Sequence, residues 1–324
     1  MSDYRQMREL KGALGWDVCA GLTMAAIFVL SVPLAAAQWL ALRLVPVWWW
    51  TIPGFWHRTM CRILGVEVQV RGTMAVGRPV LFASNHISWL DILVLGGLIK
   101  GSFVAKKEVA GWGMFGTLAR LHRTVFIDRE RRSASAGQRD ELRARFAGGE
   151  SLILFPEGTS TDGTWVKPFK SALFSVAEPR LKAGGDGPDR DRLDGDKLDG
   201  DRQDGDGAAA CAPANGRAAG CDAGSVLVQP VTLTYVRVNG MPFVRSQRPR
   251  VAWFGDMELT SHVWQLLSIG RLTVLVQFHP PMDTAQVPSR KQLAAACHSV
   301  VSDGLMAANA GRLPAPETRS DRSA

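Results

Sequence analysis

The chain has 324 residues, enough for one large or two modest domains, and carries 38 Lys and Arg against 30 Asp and Glu, a net charge of +8. That balance suits an anionic partner. Eleven Trp stand against two Tyr, crowded towards the N-terminal third, which argues for a membrane rather than a nucleic acid, because Trp favours bilayer interfaces. The five Cys (Cys19, Cys61, Cys211, Cys221, Cys297) form no C-x-x-C pair and have no His at ligand spacing, which points to a reducing compartment and speaks against structural zinc.

Residues 1–62 read as an N-terminal membrane anchor. Val18 to Leu42 is a 25-residue stretch without a charge, longer than the roughly 20 residues that cross a hydrocarbon core. It is also too long for a signal-peptide core, so it is expected to be retained. A second apolar piece, 44–56, contains Trp48, Trp49, Trp50 and Trp56 but also Pro46 and Pro53, and is expected to lie in the interface or to re-enter it. Arg5, Arg8 and Lys11 precede the apolar stretch and Arg43, Arg58 and Arg62 follow it, so basic residues give no orientation. A spanning helix and a hairpin bent at Pro33 are both compatible with this pattern.

From Val66 the periodicity changes. Val66-Glu-Val68-Gln-Val70-Arg alternates as a half-buried strand does. Short apolar runs predict strands near 79–84, 102–105, 124–127, 151–155, 226–235 and 272–278. Helical patterns cover 91–99, 111–121, 133–147, 170–182 and 290–308. Strand–helix alternation of this kind predicts a single α/β domain with a mixed or largely parallel sheet over 63–312. Residues 183–224 break the pattern: ten Asp against five Arg and Lys give a net −5, which leaves +13 for the rest of the chain. With few apolar residues, this stretch is expected to be a disordered insertion, as is a polar tail at 313–324. Its Asp-Gly-Asp runs lack the spacing and the closing Glu of a calcium loop.

The chemistry-bearing residues fall in four blocks. In the first, an apolar run breaks into Asn85-His86, and Asp91 follows five positions after His86. Positions five apart do not share a helix face, so a turn must lie between them if they are to meet. Asp91 would then accept the Nδ1–H of His86 and leave Nε2 free as a base. The ordinary alternative is a His satisfied at a strand end and an Asp favourably placed near a helix N-terminus. The second block is Thr124-Val-Phe-Ile-Asp128-Arg129, preceded by Gly111-Trp-Gly113-Met-Phe-Gly116. Phe155-Pro156-Glu157-Gly158-Thr159-Ser160 is the third, a strand running into a turn, and Val228-Gln-Pro230-Val231 the fourth. No G-x-S-x-G, phosphate-binding loop or dinucleotide fingerprint occurs. A purely membrane-binding protein would leave the four blocks unexplained.

These blocks, in this order, resemble the glycerolipid acyltransferase family, whose best-known members are the 1-acylglycerol-3-phosphate acyltransferases. That family carries N-H-x-x-x-x-D, a G-x-x-F-I-x-R-like block, F-P-E-G-T-R and V-x-P-V. The resemblance implies an acyltransferase domain in which His86 is the general base and Asp91 orients it. It implies that Arg129 holds an acceptor phosphate and that Glu157, Gly158 and Thr159 shape the acceptor site. The donor would be acyl-carrier protein or a coenzyme A thioester, with no metal or redox cofactor. Membrane lipids and a one-chain lysolipid acceptor would be the other partners, at the cytoplasmic face of a bacterial inner membrane.

One departure bears on the acceptor. Where the family motif ends in Arg, this chain has Ser160. Lys167 and Lys170 are the nearest replacements for a phosphate grip. Arg129 inclines the expectation towards 1-acylglycerol-3-phosphate; the alternative is the lyso form of an ornithine lipid, which has no phosphate.

Overall fold

The computed structural model describes residues 2–128, 135–177, 226–267 and 269–312. Arg129, the acidic stretch at 183–224 and the tail at 313–324 lie outside the described residues.

Helix α1 (Ser2–Leu44) is continuous through Pro33, so the hairpin alternative is not adopted. Within it, Ala20–Leu44 is long and apolar enough to cross a membrane. At about 100° per residue, Ala20, Ile27, Ser31 and Gln38 fall in one narrow arc. That stripe faces the protein: Ser31 accepts the indole N–H of Trp56, and Gln38 donates to the carbonyls of Trp49 and Leu121. Leu22, Phe28, Val29 and Trp39 are exposed on the remaining surface of α1.

The piece expected to lie in the interface divides. Residues 46–48 form a 3-10 turn, and Thr51 begins helix α2 (Thr51–Ile63). Pro53 does not stop α2 because it stands in the first turn, where its missing N–H has no intrahelical partner to lose. The helix buries His57, Met60 and Cys61 and packs on α3 (Leu90–Leu98). Gly96 of α3 permits that approach: a Cβ there would stand 2.6 Å from the His57 ring.

Strands β1 (Val66–Arg71), β2 (Val80–Ser84), β3 (Gly101–Lys106), β4 (Val125–Ile127), β5 (Ser151–Leu154), β6 (Leu227–Val238) and β8 (Leu272–Phe278) build the sheet, in the order β1-β8-β6-β2-β5-β3-β4. The short β7 (Met241–Pro242) and β9 (Met282–Asp283) pair with β6. All neighbours along the path are parallel except β6 and β8. The sheet is therefore mixed, as its apolar runs imply. Strand β6 runs through Pro230, as the apolar run at 226–235 predicted.

Helices α4 (Gly113–Leu121), α5 (Ser135–Ala147), α6 (Leu259–Leu267) and α7 (Arg290–Asn309) complete the domain. Two expectations need correction. The predicted helix at 170–182 is a 3-10 turn over Ser171–Ala177 as far as it is described. Its backbone is held from outside, with Lys170 N–H donating to the Pro156 carbonyl, and Phe174 is fully buried. Helix α6 was not expected at all.

Candidate active site

The site is built where β2 ends. Strand β2 pairs with β6 up to Ser84 and Val231, and the next residue continues the ladder with its side chain. Asn85 Nδ2 donates to the Leu233 carbonyl at 2.9 Å, and Leu233 N–H donates to Asn85 Oδ1 at 2.8 Å. A carboxamide is suited to this because it offers a donor and an acceptor together. With Asn85 buried and paired, His86 is the first residue to leave the sheet.

A turn, Asn85 to Trp89, separates His86 from α3, and this brings positions five apart together. Asp91, fully buried in the first turn of α3, faces His86 Nδ1 with Oδ2 at 2.9 Å. The same oxygen accepts the backbone N–H of Ile87 at 2.6 Å and of Ser88 at 2.9 Å. Asp91 is thus both the acidic group favoured near a helix N-terminus and the partner of the imidazole. The two alternatives raised by the sequence are not exclusive.

On its other oxygen, Asp91 Oδ1 accepts a hydrogen bond from the Tyr235 hydroxyl at 2.6 Å. Burial, followed by the charge of Asp91, pushes the Tyr235 phenol well above its ordinary range, which keeps it a donor. The sequence reading missed Tyr235. Its signal was the period-two face Val231, Leu233, Tyr235 of the strand after Pro230, occupied by one of only two Tyr in the chain.

The third block closes over His86 from β5. Phe155 stacks on the imidazole, ring centroids 4.1 Å apart and planes 18° from parallel. Glu157, buried, accepts the backbone N–H of His86 on Oε1 at 2.7 Å and that of Lys167 on Oε2 at 2.8 Å. Desolvation by burial pushes its carboxyl up to about 7, against the two N–H donors, which favour the anion. Both oxygens of Glu157 are therefore engaged with the backbone, and it braces the loops around His86. Gly158 stands at φ 77°, a conformation a side chain strains, and makes the tight turn possible. Thr159 is exposed beside it.

Ser160 is buried and donates its hydroxyl to the Trp253 carbonyl. Thr161 N–H donates to the His86 carbonyl at 2.9 Å, and Trp253 N–H to that of Ile87 at 2.9 Å. The loop carrying His86 is thus tied on both sides. Lys167 is half-buried and Lys170 exposed, and their backbone N–H groups serve the loop, bonding Glu157 and Pro156. Asp128, at the end of β4, pairs with Lys107 at 3.2 Å. Arg129 follows it outside the described residues. Among the described residues no His, Cys, Asp and Glu cluster could hold a metal ion.

A family model described as Acyltransferase matches residues 65–182. The lyso-ornithine lipid O-acyltransferase of Brucella abortus is 35% identical over 291 residues, covering 90% of this chain and 95% of its own. That of Rhizobium meliloti is 34% identical over 86% of this chain and 81% of its own. A 1-acyl-sn-glycerol-3-phosphate acyltransferase from Neisseria gonorrhoeae is 27% identical over 68% of this chain and 69% of its own. The crystal structure of the 1-acyl-sn-glycerophosphate acyltransferase PlsC from Thermotoga maritima shares the fold, with a TM-score of 0.57 at 16% identity, over 90% of this chain and 96% of that one. With a family model over residues 65–182 and relatives 34–35% identical over 86–90% of its length, the chain is an acyltransferase of the glycerolipid acyltransferase family.

Proposed function

We propose that the enzyme moves a fatty acyl group from a thioester of acyl-carrier protein or coenzyme A to the free hydroxyl of lyso-ornithine lipid. The observation that carries the choice of acceptor is Ser160. At the position where the family motif places an Arg, this chain has a small side chain, buried and bonded to the Trp253 carbonyl. A phosphomonoester calls for guanidinium groups that bond its oxygens in pairs. Ornithine offers a carboxylate and an ammonium in its place, and an ammonium is repelled by a nearby Arg. The relatives from Brucella and Rhizobium support the same choice. Arg129, adjacent to Asp128 in the sequence, and the Neisseria relative favour the second reading, 1-acylglycerol-3-phosphate giving phosphatidate.

In the proposed mechanism Asp91 holds the Nδ1–H of His86, and Nε2 takes the proton of the acceptor hydroxyl as its oxygen bonds to the thioester carbonyl carbon. Asp91 and the Phe155 face then stabilise and orient the imidazolium. Collapse of the tetrahedral adduct breaks the carbon–sulfur bond, and His86 returns the proton to the departing thiolate. The products are an ester and a free thiol. General-base assistance of this kind contributes typically about 10²–10⁴-fold.

Both acceptors mixed in equal amounts in the same vesicles, with one labelled acyl thioester, test the choice, because the product ratio reports the ratio of kcat/KM. Label in ornithine lipid in excess over phosphatidate is expected. Label in phosphatidate alone would establish the second reading.

A further inference from the structure

Ser160 stands where the family motif has Arg, and its hydroxyl is taken up by the Trp253 carbonyl. The backbone N–H of Trp253 bonds the Ile87 carbonyl at 2.9 Å. Trp253 is therefore held between the third block and the residue that follows His86, one peptide unit and one hydrogen bond from the base. Its ring is fixed as well. The indole N–H donates to the Met257 carbonyl at 2.8 Å and closes the turn Trp253-Phe254-Gly255-Asp256-Met257. Gly255 stands at φ 66° in that turn, where a side chain would be strained. Trp112, at the start of α4 and 43% exposed, meets the Trp253 ring edge-on, with centroids 6.1 Å apart and planes at 86°. The two indoles form the walls of a corner, and the turn closed on one of them carries an exposed carboxylate, Asp256.

Aromatic faces beside a carboxylate suit an ammonium ion, because the ring quadrupole attracts the cation and the carboxylate accepts its N–H groups. The charge of the segment agrees. Residues 251–267 contain two acids, Asp256 and Glu258, and no Lys or Arg. Arg248, upstream, is engaged with the Asp162 carbonyl at 3.2 Å and with Asn309 Oδ1 at 2.9 Å. An Arg at position 160 would bring a cation to the Trp253 carbonyl and oppose a cationic ligand there; the Ser160 hydroxyl fills the same carbonyl without charge.

We propose that Trp112, Trp253 and Asp256 form the receptor for the side-chain ammonium of the acceptor, and that this receptor selects a cationic headgroup over a phosphate. The assignment rests on lyso-ornithine lipid as the acceptor. Ornithine carries its ammonium at the end of three methylenes, so the receptor has to stand off from the base by several bonds, as Trp253 does. Asp256 accepts the ammonium N–H groups, and the indole faces attract the cation and exclude water from it. The same carboxylate repels a phosphomonoester.

Acylation by the full chain of lyso-ornithine lipid and of its δ-N-acetyl derivative, which lacks the charge, tests this. The two lipids are offered together, so the product ratio gives the preference between them and does not depend on how much of a variant is folded. The wild type should prefer the charged lipid by about tenfold or more, the effect of one charge-assisted hydrogen bond. Asp256→Asn keeps the size of the side chain and should erase most of that preference, through a higher KM for the charged lipid. Trp112→Leu should reduce the preference by about two- to fivefold, the scale of an exposed cation–π contact. An Asp256→Asn variant that keeps the wild-type preference, whatever its overall rate, would overturn the proposal. So would a wild type that acylates both lipids equally well, a result that leaves lyso-ornithine lipid in place as the acceptor. A wild type that acylates 1-acylglycerol-3-phosphate and neither ornithine lipid overturns the receptor and the acceptor together, and needs no variant to be recognised.

Discussion

Tyr235 donates its hydroxyl to Oδ1 of Asp91 at 2.6 Å, while Oδ2 of the same carboxylate faces Nδ1 of His86 at 2.9 Å. The phenol sits on β6, the carboxylate on α3 and the imidazole in the turn after β2, so the bond joins three elements at the reacting group. A buried carboxylate with both oxygens engaged is held against rotation, and an imidazole bonded to it keeps one tautomer.

Tyr235→Phe removes this donor and keeps the ring. Hydrogen bonds to charged groups are worth about 1.5–3 kcal/mol. The expected result is a kcat lower by about tenfold or more, with KM little changed and a shifted pH profile for kcat. Steady-state kinetics across pH check it. A lowered melting temperature with unchanged kcat and pH profile would reduce Tyr235 to a structural role.

Asp91→Asn acts on stability and on rate together. Its Oδ2 accepts two backbone N–H groups besides His86 Nδ1, and an amide cannot accept all three and also serve Tyr235. Each unsatisfied buried group costs about 1–3 kcal/mol. Urea unfolding should show that loss, and kcat should fall because an amide cannot stabilise the imidazolium.

Glu157 gives a pH dependence with a definite sign. Its carboxyl is raised from 4.5 in the unfolded chain to about 7, so between those values the folded state binds the proton more tightly. Stability from this group is present below about 4.5 and is lost as pH rises through 7. At about 1.4 kcal/mol per pH unit the whole effect is at most about 3.5 kcal/mol. The stability of wild type relative to Glu157→Gln should therefore fall between pH 5 and pH 8, read by urea unfolding at each pH. A difference independent of pH would show that the carboxyl titrates normally.

The reactive pair was legible because it is local. Asn85, His86 and Asp91 lie within one strand–turn–helix unit, and the end of an apolar run marks where the backbone leaves the sheet. Tyr235 was not legible because its contact joins β6 to α3 across 144 residues, and no periodicity encodes such a register. Phe155 stood in a recognised block, yet its role as the surface on which the His86 ring stacks is visible only in three dimensions. Helix α2 was obscured because Pro46 and Pro53 pointed to an interfacial segment, although Pro53 occupies a first turn. The mixed sheet itself followed from its short apolar runs.

The anchor should resist salt. The outward surface of α1 exposes Leu22, Phe28, Val29 and Trp39, and burial of apolar area is not screened by ions. Washing membranes at high ionic strength should leave the protein in the pellet, assayed by immunoblot. Release by salt alone would mean that the basic residues hold it there.

The most direct measurement is transfer of a labelled acyl group from acyl-carrier protein thioester to lyso-ornithine lipid, by wild type and by His86→Ala in identical vesicles. His86 N–H is held by Glu157 and its ring by Asp91 and Phe155, so truncation removes the base while the backbone bonds of the loop persist. The wild type should form ornithine lipid and free thiol in equal amounts, and the variant should be slower by about 10²-fold or more at unchanged vesicle binding. A variant that keeps a tenth or more of the wild-type rate would contradict the assignment of His86 as the base.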